Sequence, residues 1–190
     1  DGYSDEWQEE AARRGLKNLR TTPDALPEVV SDSTIETFEK YSVLSERELE
    51  ARYEVWVEQY SMQANIEAET AATMARTQII SGRVTGVQAC ALPISATLRH
   101  LALLDDADAD FLEKEARALL DDLVDRTLAL EEVNQYPDGI DKEGLDLAIY
   151  ARDEQLSKMH EVRVTADRLE RIVTDDLWPL PKYSEMLFIK

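Results

Sequence analysis

The stretch that decides the fold is SERELEARYEVWVEQYSMQANIEAETAATMARTQII, residues 45–80. Its apolar residues recur at steps of three and four, which places them on one face of a helix. They are Leu49, Tyr53, Val57, Tyr60, Ala64, Ala68, Ala71, Ala75 and Ile79. Ser45 and Glu48 have the spacing of a capping box, which predicts that the helix begins there. At a rise of about 1.5 Å per residue, this helix would extend for roughly 54 Å.

Two further stripes of the same period predict two more long helices in the second half of the chain. The first stripe comprises Leu112, Ala116, Leu119, Leu123, Leu130 and Val133, and it is widened by Leu120, Val124 and Leu128. The second comprises Leu145, Ile149, Leu156, Met159, Val162, Ala166, Leu169 and Val173. The intervening Tyr136-Pro137-Asp138-Gly139 is typical of a turn, and a short turn favours antiparallel neighbours. We therefore expect an all-α fold in which long antiparallel helices form a bundle.

Shorter elements flank these helices. Residues 5–14 and residues 33–41 each predict a short helix. The last segment, residues 177–189, is apolar and contains two prolines, so we expect it to dock on a folded body, because a free tail would expose Trp178 to water. We also predict that the isolated chain exposes apolar surface near Trp178 and Tyr53.

The composition excludes several classes of function. With 40 acidic and 21 basic residues the net charge is −19, which repels nucleic acids and anionic membranes. No run of 18 apolar residues could span a bilayer. One cysteine, Cys90, cannot form a disulfide framework or a multi-cysteine metal site. Residues 1–5 lack the basic and apolar regions of a signal peptide, and we expect a cytoplasmic protein.

Candidate catalytic groups are few. The histidines, His100 and His160, belong to no metal-binding motif such as H-E-x-x-H, and we interpret both as surface or helix-face residues. The sequence contains no G-x-S-x-G motif and no glycine-rich loop that could hold a phosphate. The sequence therefore indicates no candidate nucleophile and no candidate general base.

Three charged clusters could bind a ligand, but a simpler interpretation is favoured for each. Asp106, Asp108 and Asp110 begin like a calcium loop, yet Phe111 and Arg117 stand where glycine and glutamate are needed. Glu67 and Glu69 on the long helix could ligate a metal, although a solvated helix face is favoured. The basic cluster Arg13, Arg14, Lys17 and Arg20 could meet a phosphate or a carboxylate, although its first two members suit the C-terminal dipole of a helix. We predict no catalytic, cofactor-binding or metal residue.

One segment differs in composition from the rest of the chain. From residue 81 to residue 95 the only charged residue is Arg83, and the segment interrupts a helix whose stripe is still running. The string VTGVQACALPIS, residues 84–95, resembles the translation of a sequencing-library adapter, with Ala89 where the adapter would give threonine. This resemblance implies an assembly artefact that joins two pieces of a gene, in which case Cys90 carries no meaning.

The two ends of the chain resemble type III glutamine synthetases. The N-terminal signature is AARRGLKNLRTTPDALP, residues 11–27, and the C-terminal blocks are DDLWPLP, residues 175–181, and EMLF, residues 185–188. The similarity continues through residues 38–40, 44–45, 48–49, 52–54, 65–68 and 74–77. The middle helices have generic heptad-like sequence and add little to the resemblance.

The resemblance implies a domain organisation. Residues 1–60 would form the end of the glutamine synthetase catalytic fold, a short helical portion that belongs to a catalytic domain outside this chain. Residues 61–190 would form the helical C-terminal extension, with residues 81–95 artefactual. At Glu69 we would expect an apolar residue, so packing there could be weakened.

The resemblance also implies a function. Type III glutamine synthetases are cytoplasmic ligases of nitrogen assimilation that join ammonia to glutamate, using ATP and Mg²⁺ or Mn²⁺, and they form homo-oligomeric rings. None of the family's metal or phosphate motifs is found here, so the chain by itself should bind no cofactor, be inactive, and serve folding and subunit assembly. The alternative is a stand-alone acidic helical module that binds other proteins and has no catalytic activity.

Overall fold

The computed structural model describes residues 4–80, 107–136, 143–173 and 178–187, and these ranges contain helices and no strand. The α-helices are α1 (Asp5–Arg13), α2 (Thr22–Ala25), α3 (Asp32–Lys40), α4 (Glu46–Met74), α5 (Ala107–Val133), α6 (Gly144–Tyr150), α7 (Leu156–Ile172) and α8 (Tyr183–Leu187). A 3₁₀ helix, Leu26–Val30, follows α2, and π-helical segments follow α4 (Ala75–Ile80) and α6 (Ala151–Gln155). The predicted all-α class is confirmed.

Several sequence predictions fall on residues outside the described ranges. These are the adapter-like segment with Cys90, the residue His100, the start of the acidic loop at Asp106, and residues 137–139 of the predicted turn. None of the described helices combines the length and the apolar character needed to cross a membrane.

The long helix α4 and its π-helical continuation cover the range expected from the stripe. At its start the Glu48 Oε2 atom accepts hydrogen bonds from the Ser45 backbone nitrogen at 2.9 Å and from Ser45 Oγ at 2.7 Å. The backbone hydrogen bond is the main reason why the pKa of Glu48 is lowered. The Glu48 side chain therefore makes the backbone contact expected of a capping box, while the Ser45 hydroxyl donates to the Glu48 carboxylate, and the helix begins where predicted.

The described residues divide into two compact units. One comprises the described residues within 1–61 and 141–149, and the other comprises those within 62–140 and 150–190. We call them the N-terminal unit and the bundle unit.

In the bundle unit, α5 and α7 pack in antiparallel fashion. Asp122 on α5 accepts a hydrogen bond from Thr165 on α7, and four residues later Arg126 binds Glu161. As the residue number rises along α5, the number of its partner on α7 falls, which establishes the direction. The predicted antiparallel arrangement of these helices is confirmed.

The core of the bundle unit consists of the predicted stripes. Leu123, Leu130 and Leu169 are fully buried. Around them lie Ala68, Ala72, Ala75, Ile79, Ile80, Ala116, Leu119, Leu120, Val162, Val173 and Trp178. Since α4 contributes mainly alanines here, its backbone can approach the neighbouring helices closely.

Two members of the α5 stripe are exposed. Leu112 is 39% exposed and Leu128 is 50% exposed, so the predicted widening of the stripe at Leu128 is wrong. The buried position beside it belongs to Thr127, whose Oγ1 donates a hydrogen bond to the Leu123 carbonyl at 2.7 Å. Because this hydroxyl is satisfied within its own helix, a polar residue can replace leucine in the core.

The C-terminal segment docks on the bundle unit, as its composition predicts. Trp178 is only 8% exposed and belongs to the core, so the expectation of exposed surface is wrong for Trp178 itself. Lys182 Nζ donates to the Val173 carbonyl at 2.7 Å, and the Tyr183 backbone nitrogen donates to Glu170 Oε1 at 3.1 Å. The first of these contacts satisfies a carbonyl just after the end of α7.

The N-terminal unit has a sparse core. Neither α1 nor α3 contains a buried residue, although both helices are amphipathic. On α4, Tyr53 is half-buried, while Val55 is 58% exposed and Trp56 is 40% exposed. The prediction of exposed apolar surface near Tyr53 is confirmed.

The core of the bundle unit can be tested by a matched pair of leucine substitutions on α5. Leu123→Ala should lower the free energy of unfolding by about 2–5 kcal/mol, because it leaves a cavity between packed helices. Leu128→Ala, at a half-exposed site, should cost less than about 1 kcal/mol. Urea unfolding followed by circular dichroism measures both values, and equal losses would contradict the assigned packing.

Candidate functional site

The sequence-derived candidates on the long helices lie at the surface. His160 is exposed on α7. Glu67 and Glu69 are exposed on α4 and accept hydrogen bonds from Gln63 at 2.9 Å and Asn65 at 3.2 Å. These side chains form the solvated face that was the favoured interpretation. Because Glu69 points to solvent, the packing defect expected there is absent.

The basic cluster near the end of α1 is engaged by neighbouring carboxylates. Arg13 and Arg14 both pair with Glu10, the latter at 2.7 Å, and the Arg14 guanidinium lies 5.7 Å from the ring centre of Trp7. Lys17 pairs with Glu28. Three of the four cations therefore have acidic partners. This supports their interpretation as residues at a helix end over their interpretation as a phosphate site.

Acidic, histidine and cysteine side chains do not converge within the described ranges. No group of three or more of them there could hold a metal ion. That this chain binds no metal or cofactor remains a prediction, because it concerns all 190 residues.

A buried polar cluster lies where α4, the end of α5 and the segment before α7 meet. Gln155 is fully buried, and its Nε2 atom donates to Asn65 Oδ1 at 3.0 Å and to Asn134 Oδ1 at 3.2 Å. Tyr136 OH donates to the same Asn65 oxygen at 2.8 Å. This cluster could not be predicted from the sequence, since its members are polar residues separated by up to 90 positions.

Local backbone geometry positions the cluster. Gln155 is the last residue of the π-helical segment, a form of helix that is rare and often marks a functional or structural irregularity. Tyr136 has a φ of 53°, which is uncommon for a bulky residue. Its ring packs 5.7 Å from that of Tyr150, whose hydroxyl donates to the Val133 carbonyl at 2.9 Å. These contacts hold Tyr136 in an otherwise unfavourable conformation.

The cluster is suited to holding helices together and not to proton transfer. Burial raises the pKa of Tyr136 and of Tyr150, which keeps both phenols neutral near pH 7. The other members are amides, which neither gain nor lose a proton there. The Gln155 Oε1 atom is buried and has no hydrogen-bond partner among the described residues, so the cluster is incompletely satisfied.

A charged cluster links α5 to α7 nearby in the bundle unit. Asp122 Oδ2 accepts from Arg126 Nε at 2.8 Å and from the buried Thr165 Oγ1 at 2.8 Å. Arg126 also donates to Glu161 at 3.1 Å. The hydrogen bond from Arg126 is the main cause of the lowered pKa of Asp122.

The N-terminal unit contains a groove of about 360 Å³. Its lining is mainly apolar and comprises Val29, Phe38, Leu44, Leu49 and Trp56, with Glu28, Thr34 and Arg52. The Glu28 carboxylate pairs with Lys17, and its carbonyl accepts from Thr34 at 2.8 Å. Arg52 is exposed, and among the described residues no hydrogen bond or ion pair engages its guanidinium.

Comparisons with known proteins show which proteins the chain is similar to. A sequence profile of the glutamine synthetase C-terminal domain matches residues 1–93. Glutamine synthetase of Butyrivibrio fibrisolvens is 33% identical over 99% of this chain, and the type-3 glutamine synthetase of Dictyostelium discoideum is 32% identical over all of it. Glutamine synthetase of Bacteroides fragilis is 28% identical over the whole chain.

The whole chain is therefore similar to glutamine synthetases, and residues 1–93 match their C-terminal domain. The resemblance to the type III enzymes, first indicated by the signatures at its two ends, is confirmed by the type-3 relative. The chain spans only 26–27% of the length of these curated relatives.

The buried amide of Gln155 should be needed for stability. Gln155→Met retains the volume but leaves the oxygens of Asn65 and Asn134 without this donor, so the free energy of unfolding should fall by about 1–3 kcal/mol. Gln135→Met, at an exposed position, serves as the control and should change it by less than about 0.5 kcal/mol. Urea titrations of the two variants measure this. If the free energy of unfolding of Gln155→Met is unchanged, the cluster contributes nothing to stability.

Asp122 should make the stability of the bundle unit depend on pH. Because its pKa is lowered on folding, its contribution is complete above the unfolded value near 3.8 and disappears as the pH falls through the folded pKa. Asp122→Asn should therefore be less stable than the unsubstituted chain at pH 7, and the two should converge below about pH 4. Melting temperatures from pH 7 to pH 2 measure this, with Asp125→Asn as an exposed control that should show no such convergence.

Proposed function

We propose that this chain is the C-terminal part of a type III glutamine synthetase subunit. The observation that carries the proposal is the similarity of the whole chain to about a quarter of three glutamine synthetases, two of them bacterial. The parent enzyme would ligate ammonia to glutamate with ATP and Mg²⁺ or Mn²⁺. Its site would be formed by the remaining three quarters of the polypeptide.

Within the parent enzyme, this part would complete the fold and help subunits to pack into a homo-oligomeric ring. Residues 1–60 would belong to the end of the catalytic fold and residues 61–190 to a helical extension, with residues 81–95 introduced by an assembly artefact. The sparse core of the N-terminal unit supports this role. The amphipathic helices α1 and α3 bury no residue within the chain, and an amphipathic helix is stabilised mainly by packing its apolar face.

The alternative is a stand-alone acidic module that binds other proteins. Two features favour it, the net charge of −19 and the long amphipathic helices. The similarity to glutamine synthetases extends over 99–100% of the chain and so argues against it. A generic helical module has no reason to resemble one enzyme family over its whole length.

Long-read resequencing of the source locus, across residues 80–96 and upstream of Asp1, tests the proposal. We expect the adapter-like stretch to vanish and the upstream frame to encode carboxylates and a histidine spaced as metal ligands. If the stretch persists and the frame starts near Asp1, the ligase assignment must be abandoned in favour of the helical module.

The chain alone and the complete frame should differ in activity. The complete subunit should form glutamine from glutamate, ammonia and ATP. This reaction should stop when EDTA removes the divalent metal. The 190-residue chain should form none under the same conditions. Measurable ligation by the chain alone would contradict the assignment of catalysis to the rest of the polypeptide.

A further inference from the structure

The groove of the N-terminal unit has the chemistry of a docking site. Its apolar walls are Val29, Phe38, Leu44, Leu49 and Trp56, of which only Leu49 is fully buried. Trp56 remains 40% exposed. A concave surface lined by aromatic and branched residues gains most when an apolar side chain enters it.

The charges around the groove are unequal. Glu28 is already paired with Lys17, and Glu48 accepts two hydrogen bonds from Ser45. Arg52 has no such partner among the described residues, although its charge helps to lower the pKa of Glu48. If the groove is covered, the five donors of the Arg52 guanidinium lose water and need acceptors. A carboxylate meets this need best, because it can accept two parallel hydrogen bonds.

We propose that the groove receives a segment of the remaining glutamine synthetase polypeptide, which inserts an aromatic or branched apolar side chain and pairs a neighbouring carboxylate with Arg52. This inference rests on the proposed function. Two observations favour this occupant over an unrelated protein. The curated relatives are nearly four times as long as the chain, and the groove-lining residues 28–56 all lie within the range matched by the family profile.

The groove chemistry can be tested on the 190-residue chain with two dyes. 1-Anilinonaphthalene-8-sulfonate is an aromatic anion, and N-phenyl-1-naphthylamine has the same rings without the charge. Arg52→Gln should weaken binding of the anionic dye roughly three- to tenfold and leave the neutral dye unaffected. Trp56→Gln should weaken both dyes, because it removes an apolar wall.

Arg47→Gln is the matched control for this experiment. Arg47 is exposed on the same helix and lies outside the groove lining, and its loss changes the net charge by the same amount. It should leave both affinities unchanged, and circular dichroism should show all three variants folded. Equal effects of Arg52→Gln and Arg47→Gln on the anionic dye would overturn the role of Arg52.

The occupant is tested in the complete subunit. There the groove should be filled, so binding of the anionic dye that depends on Arg52 should be lost, and Arg52→Gln should lower the melting temperature more than Arg47→Gln does. If the complete subunit still binds the dye through Arg52, the remaining polypeptide is not the occupant, although the proposed function stands. If no upstream frame exists, the proposed function fails by sequencing, whatever the dyes show for the isolated groove.

Discussion

The antiparallel contact between α5 and α7 is the interaction on which the bundle unit depends. Its centre is the fully buried set Leu123, Leu130 and Leu169, and the Asp122–Thr165 hydrogen bond lies beside it. Burial of apolar side chains supplies most of the favourable free energy, because the hydrogen bonds of a folded chain largely replace bonds to water. The C-terminal segment adds Trp178 to the same core. Without this contact, Trp178 and the apolar residues at the end of α4 would have no core to pack against.

The composition of α4 explains why a polar cluster can form on it. Its buried positions in the bundle unit are Ala64, Ala68 and Ala72, which are small. Small residues at a helix contact let the backbones approach closely, and the separation of two helices follows from the side chains between them. Asn65 can therefore reach Gln155 and Tyr136 directly. Larger residues on this stripe would hold the helices apart and leave the amide groups without partners.

The sequence predicts the helices well because each depends on local periodicity. The range of α4, the end of α5 at Val133 and the burial of Leu123 and Leu169 all follow from spacing. Gln155 could not be predicted to be buried, because its burial depends on an acceptor 90 residues away. The prediction that Leu128 is buried was wrong, because apolar character alone does not place a residue in the core. Thr127 takes the buried position beside it.

The candidate surface was predicted only in part, and its chemistry shows why. Exposed apolar surface near Tyr53 was predicted, and Val55 and Trp56 are indeed exposed there. The groove is lined by residues of the 3₁₀ helix, α3 and α4 together. The periodicity of a single helix could therefore not predict it. An exposed cation beside a partly exposed tryptophan is costly to cover with a purely apolar partner and cheap to leave in water. The same pair becomes favourable when a covering segment supplies both an apolar side chain and a carboxylate. Arg52 would then select which segment enters, while the apolar walls would supply most of the affinity.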